Sequence, residues 1–155
     1  MDGGNEAPNY AGDVALVTEG EWAGWNWFPG GDPFEDIAGP FYWRADPDGA
    51  RRCAFRAEPK HMNGGAFMHG GCIMTFADYC LFVAAHDVIA GSHAVTASFN
   101  GDFVGKARAG DLIEGTVEVV KAGRSMVFLR GMIATGGQPI MSFSAVLKKT
   151  GPRGG

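Results

Sequence analysis

One carboxylate, Asp78, lies inside the apolar segment CIMTFADYCLFVAA, which directly follows the glycine-rich segment NGGAFMHGG at residues 63–71. Burial of an ionised carboxylate costs free energy, so an acid in such a segment is more often functional or hydrogen-bonded than idle. Burial should raise the pKa of its carboxyl, and nearby hydrogen-bond donors should oppose that rise. Asp78 is therefore a candidate general base or nucleophile.

The turn before this segment is a second candidate group. A helix that begins at Gly70 has free backbone N–H groups and the positive end of its dipole in its first turn. Because glycine lets a carbonyl oxygen approach closely, the N–H of Gly70 or Gly71 is a candidate oxyanion donor. His69 would orient the turn or the bound carbonyl group, or else only brace the helix start. Asn63 would hold the substrate or a water molecule, or else only form a turn.

These two groups cannot work together on one helix. Asp78 lies nine residues after His69, which corresponds to about 13 Å along a helix axis. An acid at that separation cannot act on a carbonyl group held at the start of its own helix. The spacing alone does not say how the two halves of the chemistry meet.

The elements that must position these residues form an α+β pattern. A helix is predicted from Gly70 to Ala90, ended by Gly91. The predicted strands are PFYWRAD, RRCAFRAEP, HAVTASFNGDFVG, DLIEGTVEVVK, SMVFLRGMIAT and IMSFSAVLKK. Short hairpins imply an antiparallel sheet, and a helix that is apolar all round must be covered on most sides. We therefore expect a hotdog fold, in which a curled antiparallel sheet wraps around one long central α-helix.

Strand alternation assigns faces to individual residues. In the third predicted strand Val95, Ala97 and Phe99 alternate with three polar residues, Thr96, Ser98 and Asn100. In the next strand the alternation sets Ile113, Val117 and Val119 against Glu114, Thr116 and Glu118. In each strand the apolar set and the polar set are thus predicted to lie on opposite faces of the sheet.

The chain divides into three predicted parts. Residues 1–36 form an aromatic and glycine-rich extension, with a possible short amphipathic helix in DVALVTEGEW at 13–22. Its aromatic residues Trp22, Trp25, Trp27 and Phe28 could be a ligand platform, but they more often fasten such a segment to the domain or to a partner. Residues 37–150 form the domain, and residues 151–155 are expected to be a disordered tail.

Several segments resemble the PaaI-like acyl-CoA thioesterases of the hotdog superfamily. NGGAFMHGG followed by TFAD resembles the family signature, and IAGPFYWR, VTASFNGDFVGKARAGD and VVKAGRS resemble other parts of the family, over roughly residues 37–148. The resemblance implies hydrolysis of an acyl-CoA thioester to a free acid and coenzyme A, by a homodimer or a homotetramer built as a dimer of dimers. In such a dimer the acid of one subunit faces the Asn–His–Gly turn of the other.

The resemblance also assigns roles to individual residues. Thr96 stands where the family often has a Ser or Thr that holds the attacking water. The implied catalytic residues are Asp78, Asn63, His69, Gly70, Gly71 and Thr96. The implied coenzyme A contacts are Ser98, Lys106, Arg108, Lys121, Gly123, Arg124 and Ser125, among which the basic residues would bind phosphate. Solvated turn charges are an equal alternative for any single basic residue. Coenzyme A is part of the substrate, and no other cofactor is expected.

Composition indicates which classes of binding partner the protein is not expected to have. A net charge of −4 gives no general bias toward nucleic acid. No apolar run resembles a membrane span, and MDGGNEAPNY lacks the features of a signal peptide, so a cytoplasmic protein is expected. The three cysteines, Cys53, Cys72 and Cys80, form no metal-ligand spacing, and they are expected to be reduced thiols with no metal site.

Two rival functions and several details stay open at this point. The rivals are a non-catalytic acyl-CoA-binding hotdog module and a hotdog hydratase or dehydratase. The sequence does not separate a general base from a nucleophile. Phe67, Phe76, Tyr79 and Phe82 suggest an apolar or aromatic acyl group, although they could equally be core residues.

Overall fold

The computed structural model of the chain describes residues 13–152. Its helices are α1 (Pro33–Ala38) and α2 (Gly70–Ala85), and a short 3-10 turn spans Pro59–His61. Its strands are β1 (Ala15–Leu16), β2 (Asn26–Trp27), β3 (Tyr42–Ala45), β4 (Arg51–Arg56), β5 (Ser92–Phe103), β6 (Leu112–Ala122), β7 (Met126–Thr135) and β8 (Gln138–Pro152). Within these residues the strands form one antiparallel sheet in the order β1-β2-β3-β4-β6-β7-β8-β5. The sheet curls about α2, which confirms the predicted hotdog fold.

The core lies between α2 and the concave face of the sheet. α2 packs mainly on β4, β6 and β7, and half of its sixteen residues are buried: Ile73, Phe76, Ala77, Tyr79, Cys80, Leu81, Val83 and Ala85. Four aromatic rings fill one end, because Phe41 lies 5.0 Å from Phe55 and 5.3 Å from Tyr79, and Phe55 lies 4.7 Å from Phe76 between ring centroids. Phe76 and Tyr79 are therefore core residues, which is one of the two interpretations that the sequence left open.

The predicted short helix at 13–22 is wrong. β1 and β2 form a hairpin there, in which Val17 N–H donates to the Trp25 carbonyl at 2.8 Å and Gly24 N–H donates to the Val17 carbonyl at 2.9 Å. Gly20 and Gly24 have φ values of 76° and 86°, which a helix does not accommodate. The short helix of this region is α1 instead. Asp32 caps it by accepting from the N–H groups of Phe34 and Glu35, and Pro33 follows directly.

The N-terminal region is continuous with the rest of the sheet. The ring of Trp22 stacks on Tyr42 of β3 at 4.3 Å, and Phe28 stacks on Trp43 at 6.2 Å between centroids. The boundary predicted between residues 36 and 37 falls inside α1. The predicted extension also includes residues 1–12, which lie outside the described part of the chain.

Two predicted ends differ from the structure. α2 ends at Ala85 and not near residue 90, because Arg51 binds the Val83 carbonyl at 2.9 Å and the Asp87 carboxylate at 3.0 Å and so fixes a different path after the last turn. β8 continues to Pro152, which pairs with Ser92. A disordered tail from 151 is therefore wrong at 151 and 152, and residues 153–155 lie outside the described part. No helix of residues 13–152 is long and apolar enough to span a membrane.

Gly115 on β6 sets how closely α2 approaches the sheet. A Cβ atom at this position would lie 2.5 Å from Cys80 Sγ and 3.2 Å from Phe76 Cε1, both on α2. Gly115→Ala should therefore lower the free energy of unfolding by about 1–3 kcal/mol, the usual cost of overpacking a core. Denaturant unfolding at fixed protein concentration measures this change.

The matched control is Gly64→Ala. A Cβ atom at Gly64 would meet nothing within 4 Å, so its effect should stay within about 0.5 kcal/mol. Equal stabilities of the two variants would contradict close packing of α2 against β6.

Candidate active site

Asp78 forms a hydrogen bond with β5. The hydroxyl of Thr96 donates to Asp78 Oδ1 at 2.5 Å, and the carboxyl is half-buried. Burial raises the pKa of Asp78; the Thr96 hydrogen bond opposes this rise, and the nearby Asp32 carboxylate adds to it. The acid is thus held by one donor in a partly apolar environment, as a general base or nucleophile requires.

A bulge in β5 brings Thr96 to this position. Thr96 pairs with Leu147 and Ser98 with Val146, so Ala97 is the extra residue. The predicted alternation is therefore wrong across this point, because the bulge places both Thr96 and Phe99 on the inner face. Ser98 lies on the outer face, in a shallow groove with Asn100 and Ser144. The structure thus separates Ser98 from Asp78, although both belong to the predicted site.

The start of α2 is built by His69. Its Nδ1 accepts a hydrogen bond from Gly71 N–H at 2.9 Å, and its carbonyl accepts from Cys72 N–H and Ile73 N–H at 2.9 and 3.1 Å. Because Nδ1 is an acceptor, the neutral imidazole carries its proton on Nε2. Gly71 N–H is therefore occupied, and Gly70 N–H is the group in this turn that bonds to no other residue within 13–152. The geometry favours Gly70 over Gly71 as the oxyanion donor.

Asn63 organises the preceding turn. Its Oδ1 accepts from the N–H groups of Gly65 at 2.8 Å and Phe67 at 3.2 Å. Its backbone N–H donates to the Phe67 carbonyl at 2.7 Å, and Ala66 lies between them with a φ of 60°. Asn63 is thus a turn former, and because Oδ1 is used in this way its Nδ2 group can still donate to a ligand.

The two halves of the predicted site remain apart within one chain. Asn63, His69 and Gly70 lie at the start of α2, and Asp78 lies eight residues further along the helix, which corresponds to about 12 Å. The structure brings Asp78 together with Thr96. His69 and Gly70 are adjacent at the start of α2, and Asn63 forms the turn that precedes them. It does not bring the first pair to the second group.

Apart from Ser98 on β5, the predicted coenzyme A contacts fall into two groups. Lys106 and Arg108 lie beside Phe67, in the turn that precedes α2. Lys106 Nζ is 4.7 Å and Arg108 Cζ is 4.5 Å from the centre of the Phe67 ring. The other group occupies the β6–β7 hairpin and comprises Lys121, Gly123, Arg124 and Ser125. β6 separates the two groups, and its length corresponds to roughly 30 Å.

Sequence reasoning missed two residues near the site. Glu35 on α1 is half-buried, and its pKa is raised to about 8 by burial, then by the charges of Asp32, Asp78 and Asp36. The consecutive Asp32 and Pro33 are a helix-start signal that could have revealed α1. His61 is buried, and no pattern in the sequence indicated it. Its Nε2 donates to the Ala38 carbonyl at 2.6 Å, and its own carbonyl accepts from His69 N–H at 2.8 Å.

The described residues show no metal-binding cluster and three free thiols. No group of three His, Cys, Asp or Glu side chains in residues 13–152 could hold a metal ion. Cys53 and Cys80 are buried, Cys72 is half-buried, and all three are free. Burial raises the pKa of Cys72 to about 11, so this thiol is a weak nucleophile.

Comparison with known proteins identifies the family of the chain. A model of the Thioesterase superfamily matches residues 65–141, which include His69, Gly70, Asp78 and Thr96 but not Asn63. "Putative esterase PA0474" of Pseudomonas aeruginosa is 35% identical over 115 residues, which are 74% of this chain and 86% of that protein.

Solved structures share the fold. The PaaI protein of the Escherichia coli phenylacetic acid degradation operon is 21% identical, with a TM-score of 0.69 over 78% of this chain and 86% of that one. A Streptococcus mutans protein bound to acetyl CoA is 20% identical, with a TM-score of 0.67 over 75% and 93%. A Streptococcus pneumoniae hypothetical thioesterase with coenzyme A is 18% identical, with a TM-score of 0.65 over 74% and 91%. From the family match, the 35% identical relative and the shared fold, we conclude that the chain belongs to the thioesterase superfamily of hotdog proteins, with PaaI-like proteins among its structural relatives.

Proposed function

We propose that the protein hydrolyses acyl-CoA thioesters to a free acid and coenzyme A, with Asp78 as general base or nucleophile. The observation that carries this proposal is the pairing of two features on α2. These are a half-buried acid bonded to Thr96 and a Gly70 N–H that is free to donate. The relatives support the substrate class, because one is named an esterase and two of similar fold hold coenzyme A or acetyl CoA.

The reaction requires two copies of the chain. In residues 13–152 β5 pairs with β8 on one side and with no strand on the other, and a twelve-residue unpaired edge is a surface on which another strand can pair. A two-fold axis between Thr96 and Phe103 would pair β5 with the partner's β5 in antiparallel fashion. The end of one β5 would then lie near the middle of the other.

This arrangement would join the separated halves of the site. Gly70 lies at the end of β5, because the Phe103 ring is 3.3 Å from where a Cβ atom would stand on Gly70. Asp78 lies further back along β5, at Thr96. Antiparallel pairing therefore carries the partner's Gly70 toward Asp78. Each dimer would contain two sites, and a homotetramer would be two such dimers.

The chemistry follows from these positions. The partner's Gly70 N–H would donate to the thioester oxygen and stabilise the negative charge that develops there. Asp78 would take a proton from the attacking water, or would itself attack the carbonyl carbon and form a mixed anhydride that water then hydrolyses. Thr96 would orient the Asp78 carboxylate for either route. The carbon–sulfur bond breaks in both, and the sulfur leaves as the thiolate of coenzyme A.

The same symmetry would bring together the two basic groups. The β6–β7 hairpin lies near the start of β5. Lys149 of β8 links them, because its N–H donates to the Ser125 carbonyl of the hairpin at 2.8 Å and its backbone pairs with Ala94 of β5. Lys106 and Arg108 follow the end of β5. Antiparallel pairing therefore places Arg124 near the partner's turn, where one coenzyme A could contact basic residues of both chains.

Removal of either catalytic group should abolish turnover. Asp78→Asn should lower kcat by about 10³-fold, within the usual contribution of a general base. Gly70→Pro deletes the proposed donor, while proline remains compatible with the first position of a helix and with the extended backbone of His69. Release of free thiol from a panel of short, medium, long and aryl acyl-CoAs measures both losses. Asp48→Asn, in an exposed turn, is the control and should keep full activity.

Mixed dimers of these two variants test whether the site is shared. A dimer of one Asp78→Asn chain and one Gly70→Pro chain has one intact site of two, so it should recover roughly half of the wild-type activity. Two inactive variants that give an inactive mixed dimer would contradict the shared site. Near wild-type turnover of Asp78→Asn would instead favour a non-catalytic acyl-CoA-binding module.

The Thr96 hydrogen bond should be visible in the pH profile. Its donor stabilises the charged form of Asp78 and lowers the pKa of that carboxyl against the effect of burial. Thr96→Val should therefore move the acidic limb of the kcat/KM profile to higher pH, because Asp78 then holds its proton to a higher pH. Thr96→Ser keeps the hydroxyl and should keep the wild-type limb. If the acidic limb of Thr96→Val stays at the wild-type pH, that limb does not report the ionisation of Asp78.

Arg124 should act on binding and not on chemistry. A phosphate contact far from the reacting carbonyl is similar in the ground and transition states, so Arg124→Ala should raise KM by about tenfold and leave kcat nearly unchanged. The same acyl group on N-acetylcysteamine lacks the phosphates and should be unaffected. Arg130→Ala, an exposed residue on β7 paired with Glu118, is the control. Equal losses on both substrates would make Arg124 structural.

A further inference from the structure

The ring of Phe67 holds two cations at once. Lys106 Nζ lies 4.7 Å and Arg108 Cζ lies 4.5 Å from the centre of this ring, so both charged groups lie within 4.7 Å of one point. Two positive charges repel each other, whereas the negative face of an aromatic ring attracts each of them. The ring is therefore the group that keeps these two side chains together.

Backbone pairing fixes the two cations against the ring. Met68 follows Phe67, and its N–H donates to the Ala107 carbonyl at 2.8 Å. Ala107 stands between the two cations and is buried, whereas Lys106 and Arg108 are exposed. The two side chains that flank Ala107 thus reach the Phe67 ring and stay open to solvent.

The position of Phe67 is set by the turn before α2. Its N–H donates to Asn63 Oδ1 at 3.2 Å, and its carbonyl accepts from Asn63 N–H at 2.7 Å. Gly70, the proposed oxyanion donor, follows three residues later, a reach of at most about 11 Å along the chain. A ligand bound by the two cations can therefore be the same molecule whose thioester contacts Gly70.

The two cations have no acidic partner in the part of the chain that the structure describes. In residues 13–152 neither Lys106 nor Arg108 forms a salt bridge with an Asp or Glu side chain. The closest bonded carboxylate, Asp111, accepts from the backbone N–H of Arg108 at 2.8 Å and not from its guanidinium. Two exposed cations that share one ring form a site for an anion, and the several oxygens of a phosphate group can accept from both.

We propose that Phe67 is a positioning residue for coenzyme A, whose ring holds the Lys106 ammonium and the Arg108 guanidinium where both bind one phosphate group of the substrate. This inference rests on the proposed function, since it takes an acyl-CoA as the ligand. Long side chains lose conformational freedom when they bind a ligand. Because the ring already restricts both side chains, less of that freedom is lost when the phosphate binds, and the affinity for coenzyme A is higher.

Removal of the aromatic face should weaken substrate binding. Phe67→Leu keeps an apolar side chain but loses the attraction for both cations, so KM for an acyl-CoA should rise by about fivefold while kcat stays within about twofold. Phe67→Tyr keeps the aromatic face and should keep the wild-type KM. Phe34→Leu is the matched control, because the Phe34 side chain is 65% exposed and no cation lies over its ring in residues 13–152.

A double-mutant cycle tests whether Phe67 acts through the cations. The variant Lys106→Ala/Arg108→Ala lacks both charged groups, so the addition of Phe67→Leu to it should raise KM by less than about 1.5-fold. An equal rise of KM in both backgrounds would show that Phe67 affects binding through the packing of the turn, and it would overturn the proposal.

Substrates that carry fewer phosphates identify the group that is bound. The same acyl group is compared on coenzyme A, on dephospho-coenzyme A, which lacks the phosphate on the ribose, and on pantetheine, which lacks every phosphate. Phe67→Leu should leave KM for the pantetheine thioester unchanged. An effect that persists on dephospho-coenzyme A assigns the diphosphate, and an effect that is lost there assigns the ribose phosphate; both results support the site. An equal effect on the pantetheine thioester would contradict a phosphate contact.

Calorimetric titration with free coenzyme A separates this inference from the proposed hydrolysis. Phe67→Leu should raise the Kd for coenzyme A by about fivefold relative to the full-length wild type. A wild type that shows this difference but hydrolyses no acyl-CoA would overturn the hydrolysis and support the phosphate site. An active wild type whose Kd and KM are both unchanged in Phe67→Leu would overturn the role of Phe67 alone. A wild type that neither binds coenzyme A nor hydrolyses its thioesters would overturn both.

Discussion

The burial of α2 is the constraint on which the rest of the structure depends. Its apolar side chains point in nearly every direction, so no single flat sheet could cover them, and the strands must curl around the helix. The curl requires close approach, which Gly115 permits by leaving room for Cys80 and Phe76. It also fixes the helix rigidly against β4, β6 and β7. The candidate site inherits that rigidity, because its acid and its first turn both belong to α2.

That same burial explains why the proposed catalytic groups lie apart on α2. A helix presents free N–H groups only in its first turn, whereas an acid can be held in a partly apolar environment only further along, where Asp78 meets Thr96. Gly70 and Asp78 therefore lie about 12 Å apart along the axis of α2. In the mechanism that we propose, a second copy of the chain supplies the missing half by pairing with the edge of β5 that is unpaired within residues 13–152.

The N-terminal region follows different physics from the core. Its aromatic rings stack on β3, and α1 is fixed by an N-cap, a lysine and a histidine, with Phe34 and Ile37 left exposed. Polar anchoring of this kind specifies direction more than stability, since each such bond contributes only about 1 kcal/mol. Through His61, which bonds both Ala38 and His69, the segment is connected to the turn that begins α2.

The sequence by itself determined the fold class, the identity of α2 and of strands β3 to β8, and the residue types of the site, because hydrophobic periodicity, glycine turns and an acid in an apolar segment are local signals. The structure decided what depends on pairing between distant segments. The β5 bulge turned Thr96 toward Asp78 and left Ser98 outside, since register is set by β8. His69 occupied Gly71 N–H and left Gly70 free. Glu35 came to lie against α2 because Lys60 and His61, more than twenty residues later, hold α1 in place.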